Sequence, residues 1–75
     1  MEQKILLLIA NVLGLDETSL HSETSASEVL AWDSLRHINL VLALEQEFQV
    51  TFTDDEIVTM VTVPGILNAL ASHGV

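Results

Sequence analysis

Apolar residues recur at helical spacing near the start of the chain. They are Ile5, Leu8, Ile9 and Val12. Gly14 follows this stripe at the position where a left-handed residue commonly ends a helix. The spacing predicts a first helix from Glu2 to Leu13, with one apolar face turned toward a core.

A second helical pattern begins near Ser34 and ends near Phe48. At about 100° per residue, one side of this helix carries Leu35, Ile38, Val41, Leu42, Leu44 and Phe48. The other side carries Arg36, Asn39, Ala43, Gln46 and Glu47, with Leu40 at its edge. Glu45 falls among the apolar positions, and helical periodicity gives no reason for a carboxylate there.

The C-terminal third predicts two further helices. Gln49–Phe52 is expected to be extended, with Val50 and Phe52 turned toward the core. Thr53 and Glu56 match a capping box, which opens a short third helix through about Met60. For the last helix we expect Thr62 or Val63 as the cap, Pro64 in the first turn, an apolar face of Ile66, Leu67, Leu70 and Ala71, and an end at Gly74.

A long polar connection joins the first two helices. It runs from Leu15 to Asp33, is rich in Ser, Thr and Glu, and has Leu15, Leu20, Val29 and Leu30 as its apolar anchors. Loops of this length are uncommon in small domains and are often functional. The helix pattern predicts an all-α fold, a four-helix bundle with one long crossover and a short third helix, in a single domain over residues 1–75.

Composition and charge narrow the class of partner. The chain has 75 residues, no cysteine, and eleven acids against only Lys4 and Arg36, for a net charge of −9. Such a surface repels nucleic acid and anionic membranes and favours basic patches on protein partners. The apolar run Ile5–Ala10 is far shorter than the roughly 20 residues that span a bilayer. We therefore expect a cytoplasmic protein without membrane insertion, and a monomer.

Ser34 stands where the long connection meets the second helix. One interpretation is structural: Asp33 or Ser34 simply caps the helix by accepting bonds from free backbone N–H groups. The other is functional, because a helix N-terminus offers unpaired N–H donors and a positive dipole end that stabilise a phosphate group. Ser34 is then a candidate for carrying a phosphodiester.

The residues around Ser34 extend this hypothesis to a family. The run Asp33-Ser34-Leu35, followed by Leu40-Val41-Leu42-Ala43-Leu44-Glu45-Gln46-Glu47-Phe48, resembles the attachment motif and second helix of acyl carrier proteins. The resemblance continues through Val50, Phe52, Asp54-Asp55-Glu56, Ile57, Met60 and Thr62-Val63. It covers essentially the whole chain, and the length matches a free-standing carrier.

The resemblance implies a cofactor and a set of partners. A phosphopantetheinyl transferase would attach 4'-phosphopantetheine from coenzyme A to Ser34, and acyl groups would travel as thioesters on the thiol of that arm. Asp33 and Leu35 are its motif neighbours. Asp33 is expected to orient the metal and coenzyme A of the transferase, or only to cap the helix. Leu35 is expected at the tip that partners contact, with a place at the core edge as the alternative.

The expected partner interface consists of Leu35, Arg36, Asn39, Leu40 and Glu47, facing acyl-transferring, ligase or synthase enzymes. Fatty-acid carriers usually display acids where Arg36 and Asn39 stand, so poorer use by fatty-acid enzymes is expected. Trp32 replaces the small residue that often precedes the motif; it either covers the bundle end beside Ser34 or contacts the arm or a partner. His37 is expected to be exposed or half-exposed, with a protonation switch near the phosphodiester as the alternative.

Other kinds of site have less support. Asp33, Ser34 and His37 follow each other too closely for a hydrolase triad, and no Gly-x-Ser-x-Gly turn is present. His21, His37 and His73 lack metal-ligand spacing, and Asp54-Asp55-Glu56 lacks the calcium-loop pattern. An acyl carrier for a fatty-acid-like, polyketide or other specialised pathway, with no catalytic activity of its own, is the leading hypothesis. An aminoacyl or peptidyl carrier and an unmodified acidic interaction module remain alternatives.

Overall fold

The structure is a computed structural model that describes residues 2–75. Its helices are α1 (Glu2–Leu13), α2 (Ser34–Phe48), α3 (Asp54–Thr59) and α4 (Val63–Ser72), with two short 3-10 turns at Glu17–Ser19 and Ala26–Glu28. The predicted all-α fold, with four helices, a long connection and a short α3, is confirmed. The bounds of α1 and α2 agree with the prediction.

The core is built where α1 packs against both α2 and α4. Each of these helices contributes a pair of fully buried side chains spaced four residues apart, the spacing that places two residues on one face of a helix. The pairs are Ile5 and Ile9, Leu40 and Leu44, and Ile66 and Leu70. Met60, just after α3, is equally buried and closes the core beneath the shortest helix.

The buried face of α2 differs from the predicted one. Leu40, Val41 and Leu44 are buried, whereas Leu35, Ile38 and Leu42 are 72%, 49% and 52% exposed. The helix therefore carries two apolar stripes on different sides. α1 covers the first stripe, while α3 is only six residues long and packs on α4, so it leaves the second stripe in solvent.

The long connection lies against the bundle, and three of its four predicted anchors contact the core. Leu20 is buried, and Leu15 and Val29 pack against the core as partly buried residues. Leu30 is fully exposed, so its prediction as an anchor is wrong. The N–H of Trp32 donates to the carbonyl of Val29 at 3.0 Å, which places Leu30 at the outside of a turn.

Backbone pairing fixes the middle of this connection. The N–H of Ala26 donates to the Val61 carbonyl at 2.7 Å, and the N–H of Val63 donates to the Thr24 carbonyl at 2.9 Å. Ser25 and Thr62 thus face each other in an isolated antiparallel bridge. The segment that leads into Asp33 is consequently attached to the junction between α3 and α4.

The predicted helix starts are largely confirmed. Thr53 and Glu56 form the expected capping box on α3. Thr62, one of two candidates, caps α4 by accepting the N–H of Gly65 at 2.9 Å. On α4 the apolar face includes Ala69 rather than the predicted Ala71, which is exposed.

The segment between α2 and α3 explains the carboxylate that periodicity left unexplained. Phe52 is buried and Val50 is half-buried, as predicted. The backbone N–H of Phe52 donates to Glu45 Oε2 at 2.9 Å. Glu45 faces inward because it satisfies a backbone donor that no helix or sheet would pair.

Candidate functional site

Ser34 is the first residue of α2, and its side chain is exposed. Asp33, not Ser34, is the cap: Asp33 Oδ1 accepts the N–H of Arg36 at 2.9 Å. Because Asp33 supplies the capping oxygen, the hydroxyl of Ser34 is left available at the surface. The sequence left both residues as candidates for the cap, and the structure separates their roles.

The electrostatic environment of Ser34 suits an anion. The first N–H groups of a helix have no acceptor within it, and they carry the positive end of the helix dipole. Asp33 takes the N–H of Arg36, so the N–H groups of Ser34 and Leu35 remain directed away from the helix. The Arg36 guanidinium lies 3.3 Å from Asp33 Oδ2 and 3.4 Å from the Ala31 carbonyl. The charge of Arg36 is thus paired with Asp33, and the donors that a phosphate ester on Ser34 Oγ would meet are the free N–H groups at the start of the helix.

A small cleft of about 160 Å³ opens beside Ser34. Its walls are Ala26, Trp32, Asp33, Ser34, His37 and Val61. Trp32 is only 5% exposed and belongs to the core, so it covers the end of the bundle beside Ser34. This is the structural role that the sequence analysis offered for Trp32.

Trp32 and His37 are joined by a hydrogen bond within this cleft. The indole Nε1–H donates to His37 Nδ1 at 3.1 Å, and His37 Nε2 lies 2.9 Å from the carbonyl oxygen of Ile57. A carbonyl only accepts, so Nε2 carries the proton and the imidazole is neutral in this arrangement. The half-buried His37 therefore links the long connection, α2 and α3.

Helical periodicity and motif spacing do not predict this chain of hydrogen bonds. Its one local signal was an indole N–H, which usually has a partner when the ring is buried, five residues before a histidine. The third member, Ile57, is 20 residues from His37 and is recruited through its backbone. Both ring nitrogens of His37 are occupied, which leaves neither to act as a base toward Ser34.

The predicted partner interface is partly exposed. Leu35, Arg36, Asn39 and Glu47 are at the surface, and the exposure of Leu35 excludes a place in the core. Leu40 is fully buried in the core, so its prediction as an interface residue is wrong. Sequence reasoning placed Ile38 and Leu42 on the same side as the buried Val41, and so missed that they belong to the exposed stripe beside Leu35.

Within residues 2–75, no cluster of three or more His, Cys, Asp or Glu side chains is arranged to hold a metal ion. Among the helices of that same range, none has the length and apolar character needed to cross a bilayer.

Comparison with known proteins identifies the family of the chain. A family model described as "Phosphopantetheine attachment site" matches residues 3–70. The chain is similar to an acyl carrier protein of Clostridium acetobutylicum, with 34% identity over 71 residues that cover 95% of this chain and 92% of the relative. The chain therefore belongs to the acyl carrier protein family, whose members hold a covalently attached 4'-phosphopantetheine and have no catalytic activity of their own.

Proposed function

We propose that Ser34 is the attachment residue and that the chain carries acyl groups as thioesters on the thiol of its phosphopantetheine arm. The observation that carries this proposal is the separation of roles at the start of α2. Asp33 caps the helix, so the exposed Ser34 hydroxyl has no structural duty and is accessible to a modifying enzyme.

The residues of the chain have a limited task once the arm is in place. The N–H groups at the start of α2 would stabilise the negative charge of the phosphodiester on Ser34. The thiol that bears the acyl group belongs to the arm, which agrees with a chain that contains no cysteine. Tethering raises the effective concentration of the acyl group at the active site of each partner.

The proposed partners are a phosphopantetheinyl transferase and acyl-transferring, ligase or synthase enzymes with basic docking patches. We propose that they contact Leu35, Arg36, Asn39 and Glu47 on the exposed side of α2, with the chain acting as a monomer in the cytoplasm. Arg36 is exposed near Ser34, while Glu47 lies at the far end of the helix. This charge order favours partners from a polyketide or other specialised pathway over fatty-acid enzymes that dock on an acidic helix.

The attachment is tested by intact mass. The apo protein is incubated with coenzyme A and a broad-specificity phosphopantetheinyl transferase. We expect a single phosphopantetheinyl addition that disappears in Ser34→Ala and persists in Ser22→Ala, a control at another exposed serine. No addition under conditions that modify a known acyl carrier, or an addition that survives in Ser34→Ala, would overturn the proposal.

Two variants separate the capping role of Asp33 from a role of its carboxylate toward the transferase. Asparagine caps a helix about as well as aspartate, whereas alanine costs about 1 kcal/mol of stability. We therefore expect Asp33→Ala to lower the free energy of unfolding by about that amount and Asp33→Asn to leave it nearly unchanged. If the carboxylate orients the transferase's metal and coenzyme A, Asp33→Asn is modified several-fold more slowly than the wild type. Equal initial rates would reduce Asp33 to a cap.

A further inference from the structure

We propose that the Trp32–His37 pair closes the inner end of the cleft beside Ser34, so that an acyl chain on the arm stays at the protein surface instead of entering the core. The inference rests on the proposed attachment at Ser34. These two residues would then determine in part which acyl groups the carrier can bury in its core.

Trp32 borders the cleft and is also part of the core. Its side chain lines the cleft that Ser34 borders, and it also belongs to the buried cluster that contains Leu40 and Met60. With only 5% of its surface exposed, nearly the whole side chain is in contact with protein. A chain that entered the core from Ser34 by way of this cleft would have to displace it.

Two hydrogen bonds in series hold the Trp32 ring in place. Its N–H bonds to His37 at 3.1 Å, and His37 bonds to the Ile57 carbonyl at 2.9 Å. Moving the ring outward would break the first bond and leave an indole N–H and an imidazole nitrogen to find new partners. The closure therefore depends on three elements together: the long connection, α2 and the end of α3.

The cleft is too small for a long acyl chain. The cleft holds about 160 Å³, close to the roughly 150 Å³ of an engineered protein cavity that takes up benzene. It accommodates a group of about six heavy atoms. An eight-carbon chain with its thioester exceeds that volume, and Trp32 and His37 close the way to more space. The pair thus suits the carrier to short or polar acyl groups, which need no apolar shelter.

The experiment loads Ser34 with acetyl- or octanoyl-phosphopantetheine, using the transferase and the matching coenzyme A thioester. Intact mass verifies loading, so a failure of the proposed function appears at this step and is not confused with a failure of the inference. Two NMR probes then report on the core: the indole N–H of the only tryptophan, and the methyl group of the fully buried Met60. Hydroxylamine cleavage of the thioester measures how accessible the cargo is.

In the wild type, we expect the octanoyl form to show the same Trp32 and Met60 signals as the acetyl form. Hydroxylamine should cleave the octanoyl and acetyl thioesters at rates that differ by no more than about a factor of two. This factor corresponds to a difference in activation free energy below about 0.5 kcal/mol. Shifted core signals together with several-fold slower cleavage of the octanoyl form would overturn the inference. This comparison needs no variant.

Variants then test whether the Trp32–His37 pair keeps the octanoyl chain out of the core. Trp32→Ala should open the cleft, so that the octanoyl chain shifts the Met60 signal and its cleavage slows several-fold relative to acetyl. Trp32→Phe retains most of the bulk without the N–H and serves as the matched control, with a smaller effect. His37→Ala removes the support and is used if Trp32→Ala does not fold. Folded variants that behave like the wild type would show that other residues exclude the chain, which contradicts the proposal.

Discussion

The carboxylate of Glu56 contacts both the start of α3 and the end of α4. Its Oε1 accepts the backbone N–H of Thr53 at 2.8 Å, and its Oε2 lies 3.0 Å from His73 Nε2 at the end of α4. The Thr53 N–H, followed by the His73 side chain, favours the charged carboxylate and lowers the pKa of Glu56 below its ordinary value of 4.5. The residue therefore couples local capping to the packing of two helices.

The lowered pKa of Glu56 predicts a pH dependence of stability. A depressed folded-state pKa gives a stabilisation that is complete above the unfolded value of 4.5 and is lost as the pH falls through the folded value. We expect the difference in urea midpoint between the wild type and Glu56→Gln to be largest near neutrality and to shrink below pH 4.5. Glu17→Gln, which removes one exposed charge elsewhere, should not lower the midpoint near neutrality. A difference that grows in acid would contradict this assignment.

Residue roles were predictable where they depend on near neighbours in sequence. The Thr53–Glu56 box and the Thr62 cap involve residues three apart, so the sequence contains the whole interaction. The hydrogen bonds of His37 were not predictable, because Trp32 belongs to the connection before α2 and the other partner is the backbone of Ile57 in α3. Contacts of this kind exist only after the helices have packed.

At the level of elements, α2 shows what helical periodicity leaves undecided. The pattern gave the bounds of the helix, since apolar residues continue from Leu35 to Phe48. It did not decide which of the two apolar stripes is covered, because that depends on the length and placement of the other helices. Leu40 was consequently predicted at the surface and lies in the core, while Ile38 was predicted with the core face and is half exposed.

Glu45 connects α2 to the extended segment before α3, and its removal should be costly. Glu45→Ala would leave the N–H of Phe52 without its acceptor, and unpaired buried donors cost about 1–3 kcal/mol. Glu45→Gln keeps an acceptor oxygen and should lose less than half of that. The free energy of unfolding in urea measures both variants.

The matched control for this prediction is Glu47→Ala on the same helix. Glu47 pairs with Lys4 at 3.1 Å, and both side chains are about half exposed. Exposed pairs of this kind contribute about 0–1 kcal/mol. A loss in Glu45→Ala no larger than the loss in Glu47→Ala would show that the Phe52 hydrogen bond contributes little to stability.

For the whole molecule, the excess of acids is the main electrostatic feature. Eleven acids occupy a body of 27 × 23 × 19 Å, and the ion pairs within residues 2–75 involve only Asp33, Glu47 and Glu56. The Debye length is about 30 Å at 0.01 M salt and about 10 Å at 0.1 M. At low salt, therefore, nearly every carboxylate repels the others across the folded protein.

Repulsion of this range predicts that salt stabilises the fold. We expect the urea midpoint to rise between about 0.01 M and 0.3 M sodium chloride as screening increases. Choline chloride should act equally if screening is the cause. Asp16→Asn removes one exposed charge and should raise the midpoint at low salt more than at high salt. A midpoint that falls with salt would mean that the attractive ion pairs outweigh the repulsion.

The antiparallel bridge between Ser25 and Thr62 has a consequence for hydrogen exchange. Ala26 and Val63, the first residues of a 3-10 turn and of α4, donate their N–H groups to the carbonyls of Val61 and Thr24, which are 35 and 39 residues away in sequence. Neither of these two bonds is made within a helix, so lifting the long connection from the bundle would expose both amides at once. Their deuterium uptake therefore measures how often the long connection that leads to Ser34 detaches from the bundle. Comparing the uptake rates of the apo and modified proteins would show whether attachment of the arm makes this detachment rarer or more frequent.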